Sequence, residues 1–244
     1  MKKKKLLVVL LLLLIALYAV PSVSASSVYT VNLMVAYDEE WSYTARVRYW
    51  YSAETLARIL IDDTFYDFFT MFQITYCIIT YVSWDSDDSV TSDVRMVQEL
   101  VTETGFYSGM YVAGSPVDVL IGFSDQDTIG VYGITNTTAK AVLVMETYLE
   151  TYYSVVGQCT QNVLQHELSH LYGAVHHKEN GLMCVMNLYP YWLGFPYSDP
   201  VPTGVITDDW CSDCLATISA NREALGREYN HNSGGGGRIY FDYV

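Results

Sequence analysis

From residue 28 to residue 148 the chain alternates stretches rich in β-branched and aromatic residues with stretches whose apolar positions recur every three or four residues. VYTVNLMVAY (Val28 to Tyr37), ITYCIITYV (Ile74 to Val82), VDVLIGF (Val117 to Phe123) and AKAVLVMETY (Ala139 to Tyr148) read as strands. GVYG (Gly130 to Gly133) reads as a short extended piece between turn residues. Leu56, Ile59, Leu60, Phe65 and Tyr66 predict a helix from Val47 to about Phe69, and Val94 to Val101 a short amphipathic helix closed by Gly105. After residue 148 the pattern changes. VLQHELSHLYG predicts a helix stopped by Gly173, and an irregular stretch follows. DDWCSDCLATISANREAL predicts a last helix, with Thr207 as N-cap and Asp208 and Asp209 in its first turn. This order implies a mixed α/β fold: a twisted mixed sheet with helices in an N-terminal lobe, a histidine-bearing helix, then a mostly irregular C-terminal lobe ending in a helix.

The first 25 residues stand apart. MKKKK is cationic, Leu6 to Val20 is an unbroken apolar run, and PSVSA carries small residues at Val23 and Ala25. That is the layout of a secretory signal peptide cleaved after Ala25, leaving residues 26–244 as one domain. An uncleaved N-terminal anchor is the alternative, and either places the domain outside the cytoplasm. No second apolar segment is long enough to span a bilayer, so no stable membrane insertion is expected once the signal is removed. Without Lys2, Lys3, Lys4 and Lys5, nine basic residues face 27 acidic ones, a balance of −18. So acidic a chain speaks against nucleic acid and anionic membranes as partners, and serves solubility.

Four of the five histidines lie in HELSHLYGAVHH, residues 166 to 177. On a helix, His166 and His170 stand one turn apart on the same face and can share a cation. Glu167 sits beside them, placed to act as a general base on a metal-bound water. Gly173 supplies a residue tolerant of positive φ where the chain must swing back, and three residues later His176 can enter as a third ligand. Three neutral imidazoles leave a fourth zinc position for water, the mark of a catalytic rather than a closed structural site. The histidines are together because one zinc needs them together.

HELSHLYGAVH, followed by CVMN (Cys184 to Asn187), resembles the zinc motif and Met-turn of the metzincin metalloproteases, closest in look to the adamalysin-like and archaemetzincin-like branches. The resemblance implies an α+β zincin-like fold and a secreted zinc endopeptidase acting on polypeptides, with Met186 (Met183 is the weaker choice) as the floor beneath the metal. It further implies that the stretch Ile129, Gly130, Val131, Tyr132, Gly133 is the edge strand on which an extended substrate lies. Leu188 and Tyr189, after the Met-turn, would wall the pocket. There are departures. His177 stands where adamalysin-like enzymes carry Asp and archaemetzincins carry Cys. No tyrosine lies two residues after Met186, and no cysteine-switch motif or propeptide is seen. The rival reading is a secreted binding or adhesion protein keeping the motif as scaffold, which would have no need of Glu167. A third is an exopeptidase or self-processing enzyme.

Cys77 reads as a small hydrophobe in a buried strand. Outside the cytoplasm, the default for Cys159, Cys184, Cys211 and Cys214 is two disulfides, with three connectivities open. The likeness to archaemetzincins implies the alternative, a second, structural zinc held by His177, Cys184, Cys211 and Cys214. Asp85, Asp87 and Asp88 could bind calcium, but read better as an acidic turn before a helix. Asn136-Thr137-Thr138 is a glycosylation acceptor pattern, and His231 lies in a polar tail.

Overall fold

The computed structural model describes residues 27–87, 89–90, 92–126, 132–145, 158–178, 182–187, 190–191, 201–202 and 207–228. The expected signal, residues 1–25, lies outside them, as do Asp88 and His231. Among the described residues no helix is long and apolar enough to cross a membrane.

The chain runs β1 (Tyr29–Tyr37), α1 (Glu39–Arg48), α2 (Ala53–Phe72), β2 (Ile74–Ser83), α3 (Asp93–Glu103), β3 (Tyr111–Val112), β4 (Ser115–Pro116), β5 (Val119–Ser124), β6 (Gly133–Asn136) and β7 (Ala141–Met145). It continues with α4 (Gln158–Leu171), β8 (Pro190–Tyr191), β9 (Val201–Pro202), α5 (Ser212–Asn221) and β10 (Arg227–Glu228). β2, β1, β5 and β7 lie side by side and parallel, and β6 closes the row as an antiparallel edge strand beside β7. β10 adds a short antiparallel pairing to the start of β1. The twisted mixed sheet expected from the sequence is the frame of the fold.

Alternation along the strands builds a core on each face. Val31, Leu33 and Val35 of β1, Val119, Ile121 and Phe123 of β5, and Val142 and Val144 of β7 join the larger core, with residues of α1, α2, α4 and α5. Met34, Ala36, Leu120, Ala141 and Leu143 face the other way, onto Met96, Val97 and Leu100 of α3. Helix α4 is thus set against the sheet beside its β6 edge.

Three expectations are corrected. The single helix from Val47 to about Phe69 is two helices. The chain breaks between them at Trp50, with φ 62°, and Ser52 starts α2 by accepting the Thr55 N–H at 3.1 Å. Apolar spacing continues across the break, whereas Ser52 offers a cap that periodicity does not register. The last helix starts at Ser212 with Cys211 as N-cap, so Asp208 and Asp209 precede it. Thr207 instead receives the Asp209 N–H at 3.2 Å and shapes the turn leading in. Cys77 is exposed. It alternates with Tyr76 and Ile78, which pack against the larger core, and β2 is a sheet edge. Asp87 receives Ser89 N–H at 2.9 Å, as an acidic turn does.

Asp38, 1 % exposed, caps α1 by accepting the Trp41 N–H on Oδ1 at 2.8 Å, while its Oδ2 is buried without a hydrogen-bond partner. Burial pushes its carboxyl up to about 7, against hydrogen bonds from Ser124 and Trp41, and Glu40 and Glu39 add to the rise. The folded state therefore holds this proton above the pH at which the unfolded chain, with an ordinary carboxylate near 4, releases it. Stability contributed here is present at low pH and falls as pH rises from about 4 through about 7. Asp38→Asn keeps the capping oxygen and removes the charge. Thermal melts should place the variant above wild type at pH 8, by roughly 2–4 °C for each kcal/mol relieved, and close to it at pH 5. The same difference at both pH values would mean that Asp38 is not the titrating group.

Candidate metal centre

Helix α4 carries His166, Glu167 and His170, and the four-residue spacing sets the two imidazole centroids 4.9 Å apart. The helix ends at Leu171. Gly173 takes φ 86°, and its N–H and that of Ala174 reach back to the carbonyls of His170 (3.0 Å) and Ser169 (3.1 Å). Any side chain at 173 would be strained by that φ and would meet Asn221 Nδ2 at 3.0 Å. Through this turn the chain reverses and His176 comes back over the helix. Its Nε2 lies 3.0 Å from Nε2 of His166 and 2.9 Å from Nε2 of His170.

The tautomers follow from the partners of the other ring nitrogens. His166 Nδ1 is 2.6 Å from the Val185 carbonyl, and His170 Nδ1 is 2.9 Å from the Ala174 carbonyl. A carbonyl oxygen only accepts, so each Nδ1 carries the proton and each Nε2 turns a lone pair inward. Burial pushes His166 down to about 3 and also lowers His170 and His176, so all three are neutral at pH 7. A cation between the three nitrogens would be held by the inward lone pairs of His166 and His170 together with that of His176. Tetrahedral zinc, about 2.0–2.1 Å from each nitrogen, holds its ligands about 3.3 Å apart, so this donor set fits zinc.

Glu167 points from the same helix turn towards β6 and is 6 % exposed. Burial raises its carboxyl to about 7, and the Thr135 hydroxyl, 2.6 Å from Oε2, pulls the other way. Gly133 leaves the room for this packing: a Cβ there would fall 2.7 Å from Val163 Cγ1, 2.9 Å from Glu167 Cγ and 3.1 Å from its Oε1.

The segment 184–187 reaches the histidines through the Val185 carbonyl, which faces His166 Nδ1. Asn187 N–H bonds the Cys184 carbonyl at 2.9 Å, making CVMN a hydrogen-bonded turn. Met186 is fully buried in the larger core, while Met183 is 48 % exposed. The turn is held from two sides, His177 N–H on the Met186 carbonyl at 2.9 Å and Val185 N–H on the Asp209 carbonyl at 2.7 Å. Trp210 donates its indole N–H to Ser169 Oγ at 2.9 Å, and Ser169 in turn donates to the Gln165 carbonyl at 2.7 Å. Backbone bonds and these buried polar groups tie the irregular lobe to α4.

A second donor set lies on the far side of this turn. His177, Cys184, Cys211 and Cys214 bring one ligand atom each to within 4.8 Å of one another. His177 Nε2 is 3.0 Å from Cys214 Sγ and 3.4 Å from Cys211 Sγ, and the Cys184 and Cys214 sulfurs are 3.8 Å apart. The expectation of disulfides is corrected for these residues. Cys184, Cys211 and Cys214 are free, and 3.8 Å is far beyond a bonded pair at about 2.05 Å. It equals the spacing of two thiolates on a tetrahedral zinc, about 3.8 Å for bonds of about 2.3 Å. A hydrogen bond from Cys214 pulls the Cys184 thiol down to about 5, and the same contact pushes Cys214 up. One thiolate forms readily there and a second needs a cation. The side chain of Cys159 lies outside the described residues.

The structure brings His166, His170 and His176 together, with Glu167 on the same helix turn, and assembles His177 with three of the four flanking cysteines; Met186 meets His177 through its main-chain carbonyl. Ile129, Gly130, Val131, Leu188 and Tyr189 lie outside the described residues. Tyr132 only precedes the edge strand, which begins at Gly133 and extends to Asn136, later in the chain than GVYG suggested. Thr135 was missed. Nothing in its local sequence marks it, and only the packing of β6 on α4 brings it to Glu167.

No family model matches this chain, and no curated protein matches it either. Among solved structures it is similar to a chain of a chaperone–substrate complex, at TM-score 0.51 and 10 % identity over 82 % of this chain. The match covers 35 % of that longer chain, so the present chain spans about a third of it, and the likeness concerns the fold alone. It is also similar to a zinc-dependent peptidase from Methanocorpusculum labreanum, at TM-score 0.48 and 13 % identity, over 76 % of this chain and 99 % of that one.

The Ser169 junction makes a direct prediction. Ser169→Ala leaves the buried Trp210 N–H without its acceptor, at a cost of about 1–3 kcal/mol. Denaturant unfolding should show that loss with an unchanged m-value. A change within about 0.5 kcal/mol would show that the lobe is held by other contacts.

Proposed function

We propose that this chain is a secreted zinc-dependent endopeptidase of metzincin type. The observation that carries the reading is the convergence of His176 Nε2 on Nε2 of His166 and of His170, at 3.0 and 2.9 Å, beside the buried carboxyl of Glu167. His166, His170 and His176 would hold the catalytic ion, with Met186 in the turn beneath them. Zinc, when bound, supplies a Lewis acid and a water whose pKa is lowered to about 7. Glu167 accepts a proton on its carboxylate and returns it to the departing amine of the cleaved peptide. The outer side of β6 pairs with no described strand. An extended polypeptide can add to it by main-chain hydrogen bonds, which would bring a peptide bond alongside α4. Tyr132 and Gly133, at the start of that edge, would border the substrate.

A second zinc, held by His177, Cys184, Cys211 and Cys214, belongs to the same reading. Four protein ligands close its coordination sphere, so its role is structural: it pins α5 to the turn at 184–187. The expected signal peptide and the acidic composition agree with release of the mature domain from the cell.

Purified mature protein, free of a histidine tag, should carry about two zinc ions per chain and cleave an unfolded protein substrate, with loss of activity in chelator. Glu167→Ala should keep its zinc and lose on the order of 10²–10⁴-fold in rate. Cys214→Ser should drop the metal count by one and lower the melting temperature. Bound zinc without cleavage of any polypeptide would favour a binding protein on the same scaffold, and cleavage confined to short peptides with free ends would favour an exopeptidase. A count of one that Cys214→Ser leaves unchanged would remove the second ion, and absence of zinc would sink the whole proposal.

A further inference from the structure

Glu167 is buried, and a carboxylate on a flexible side chain serves as a base only where something fixes its direction. We propose that Thr135 is the positioning residue for Glu167, and that the edge strand β6 thereby both borders the substrate and aims the base. This rests on the peptidase reading for its consequence but not for its geometry.

β6 alternates its side chains. Ile134 packs against the core on the α3 side of the sheet, so Gly133 and Thr135 face the opposite way, towards α4. At 133 the missing side chain lets the Glu167 stem lie against the strand, where a Cβ would come within 2.9 Å of Glu167 Cγ. At 135 the hydroxyl lies 2.6 Å from Glu167 Oε2 and 2.8 Å from the Glu167 main-chain carbonyl. One hydroxyl therefore lies within hydrogen-bond reach of both ends of Glu167, its carboxylate and the helix turn that carries it, and donates to one of them at a time. No other hydrogen bond to this carboxylate is present among the described residues.

The chemistry of a hydroxyl suits this place better than a cation would. Thr135 has one proton to give and two acceptors in reach. When Glu167 is a carboxylate, the proton goes to Oε2. When Glu167 has taken up a proton, the hydroxyl can turn to the main-chain carbonyl and accept from the carboxylic acid. The carboxyl keeps its place through both states. A lysine or arginine would hold only the anion and would resist protonation. A valine would hold neither.

Thr135→Val keeps the β-branched shape and removes the hydroxyl, and Thr135→Ser restores it. In zinc-loaded protein, Thr135→Val should lower kcat roughly 10- to 100-fold, with KM within about twofold of wild type, unchanged zinc content and a near-native melting temperature. Thr135→Ser should recover most of the rate. Gly133→Ala should lower kcat by pressing on the Glu167 stem. In parallel, protein labelled with ¹³C at the glutamate carboxyl carbons gives a readout that needs no turnover. The Glu167 resonance, assigned by its loss in Glu167→Gln, should shift in Thr135→Val and return in Thr135→Ser. If wild type cleaves nothing, the peptidase reading fails, while the resonance still decides the placement of Glu167. A resonance unmoved by Thr135→Val, or a Thr135→Val enzyme as active as wild type, overturns the positioning role.

Discussion

His176 Nε2 stands 3.0 Å from Nε2 of His166 and 2.9 Å from Nε2 of His170, and the lone pairs that His166 and His170 turn inward would meet a cation there. Much of the surrounding structure serves to hold them there. Helix α4 supplies two of the rings. The left-handed residue Gly173 ends the helix so that the third returns, and Asn221 of α5 donates to the Tyr172 carbonyl at 3.0 Å just before that turn. The carbonyls of Val185 and Ala174 set the tautomers of His166 and His170. The candidate metal centre is thus a property of α4 together with the segments on either side of the turn.

Among the described residues after α4, three kinds of contact join the segments to one another and to α4. Main-chain bonds link the 184–187 turn to His177 and Asp209. A buried polar junction of Trp210, Ser169 and Gln165 joins the segment before α5 to α4. The sulfur and imidazole cluster gathers His177, Cys184 and the start of α5. His176 and His177 are consecutive residues that serve different clusters, so the same backbone turn feeds both. Because Cys184 and Val185 occupy one turn, displacement of the cysteine cluster would move the carbonyl that faces His166 Nδ1. A closed, structural role for the second site would therefore act on the first through a single hydrogen-bonded turn.

The sheet contributes on its β6 side. Helix α4 lies close enough to β6 for glycine at 133 to be a steric requirement and for Thr135 to reach a carboxylate 32 residues away in sequence. A carboxyl set between a helix and a sheet edge meets two demands of the proposed mechanism that otherwise compete. Glu167 is buried, which raises its proton affinity, yet it stays next to a sheet edge on which the proposed substrate would lie.

How much of this could be read from the sequence depends on the range of the interactions involved. The i, i+4 spacing of His166 and His170, Glu167 between them, the stop at Gly173 and the return at His176 are local, so the helix period and one glycine determine them. The strands at Val28, Ile74, Val117 and Ala139 were legible for the same reason, since alternation is a property of neighbours. Periodicity failed where a cap interrupts it, as at Ser52 between α1 and α2, and where burial depends on the layer above, as at exposed Cys77 on β2. The sequence could name His177, Cys184, Cys211 and Cys214 as partners but left disulfides and a metal cluster open, because only the fold sets sulfur separations. Nor could it find Thr135, whose role exists only once β6 lies on α4. The sequence alone determined which groups could bind a cation and move a proton. Tertiary packing decided which of them meet, because distances between residues far apart in the chain are set by the layers that bring them together.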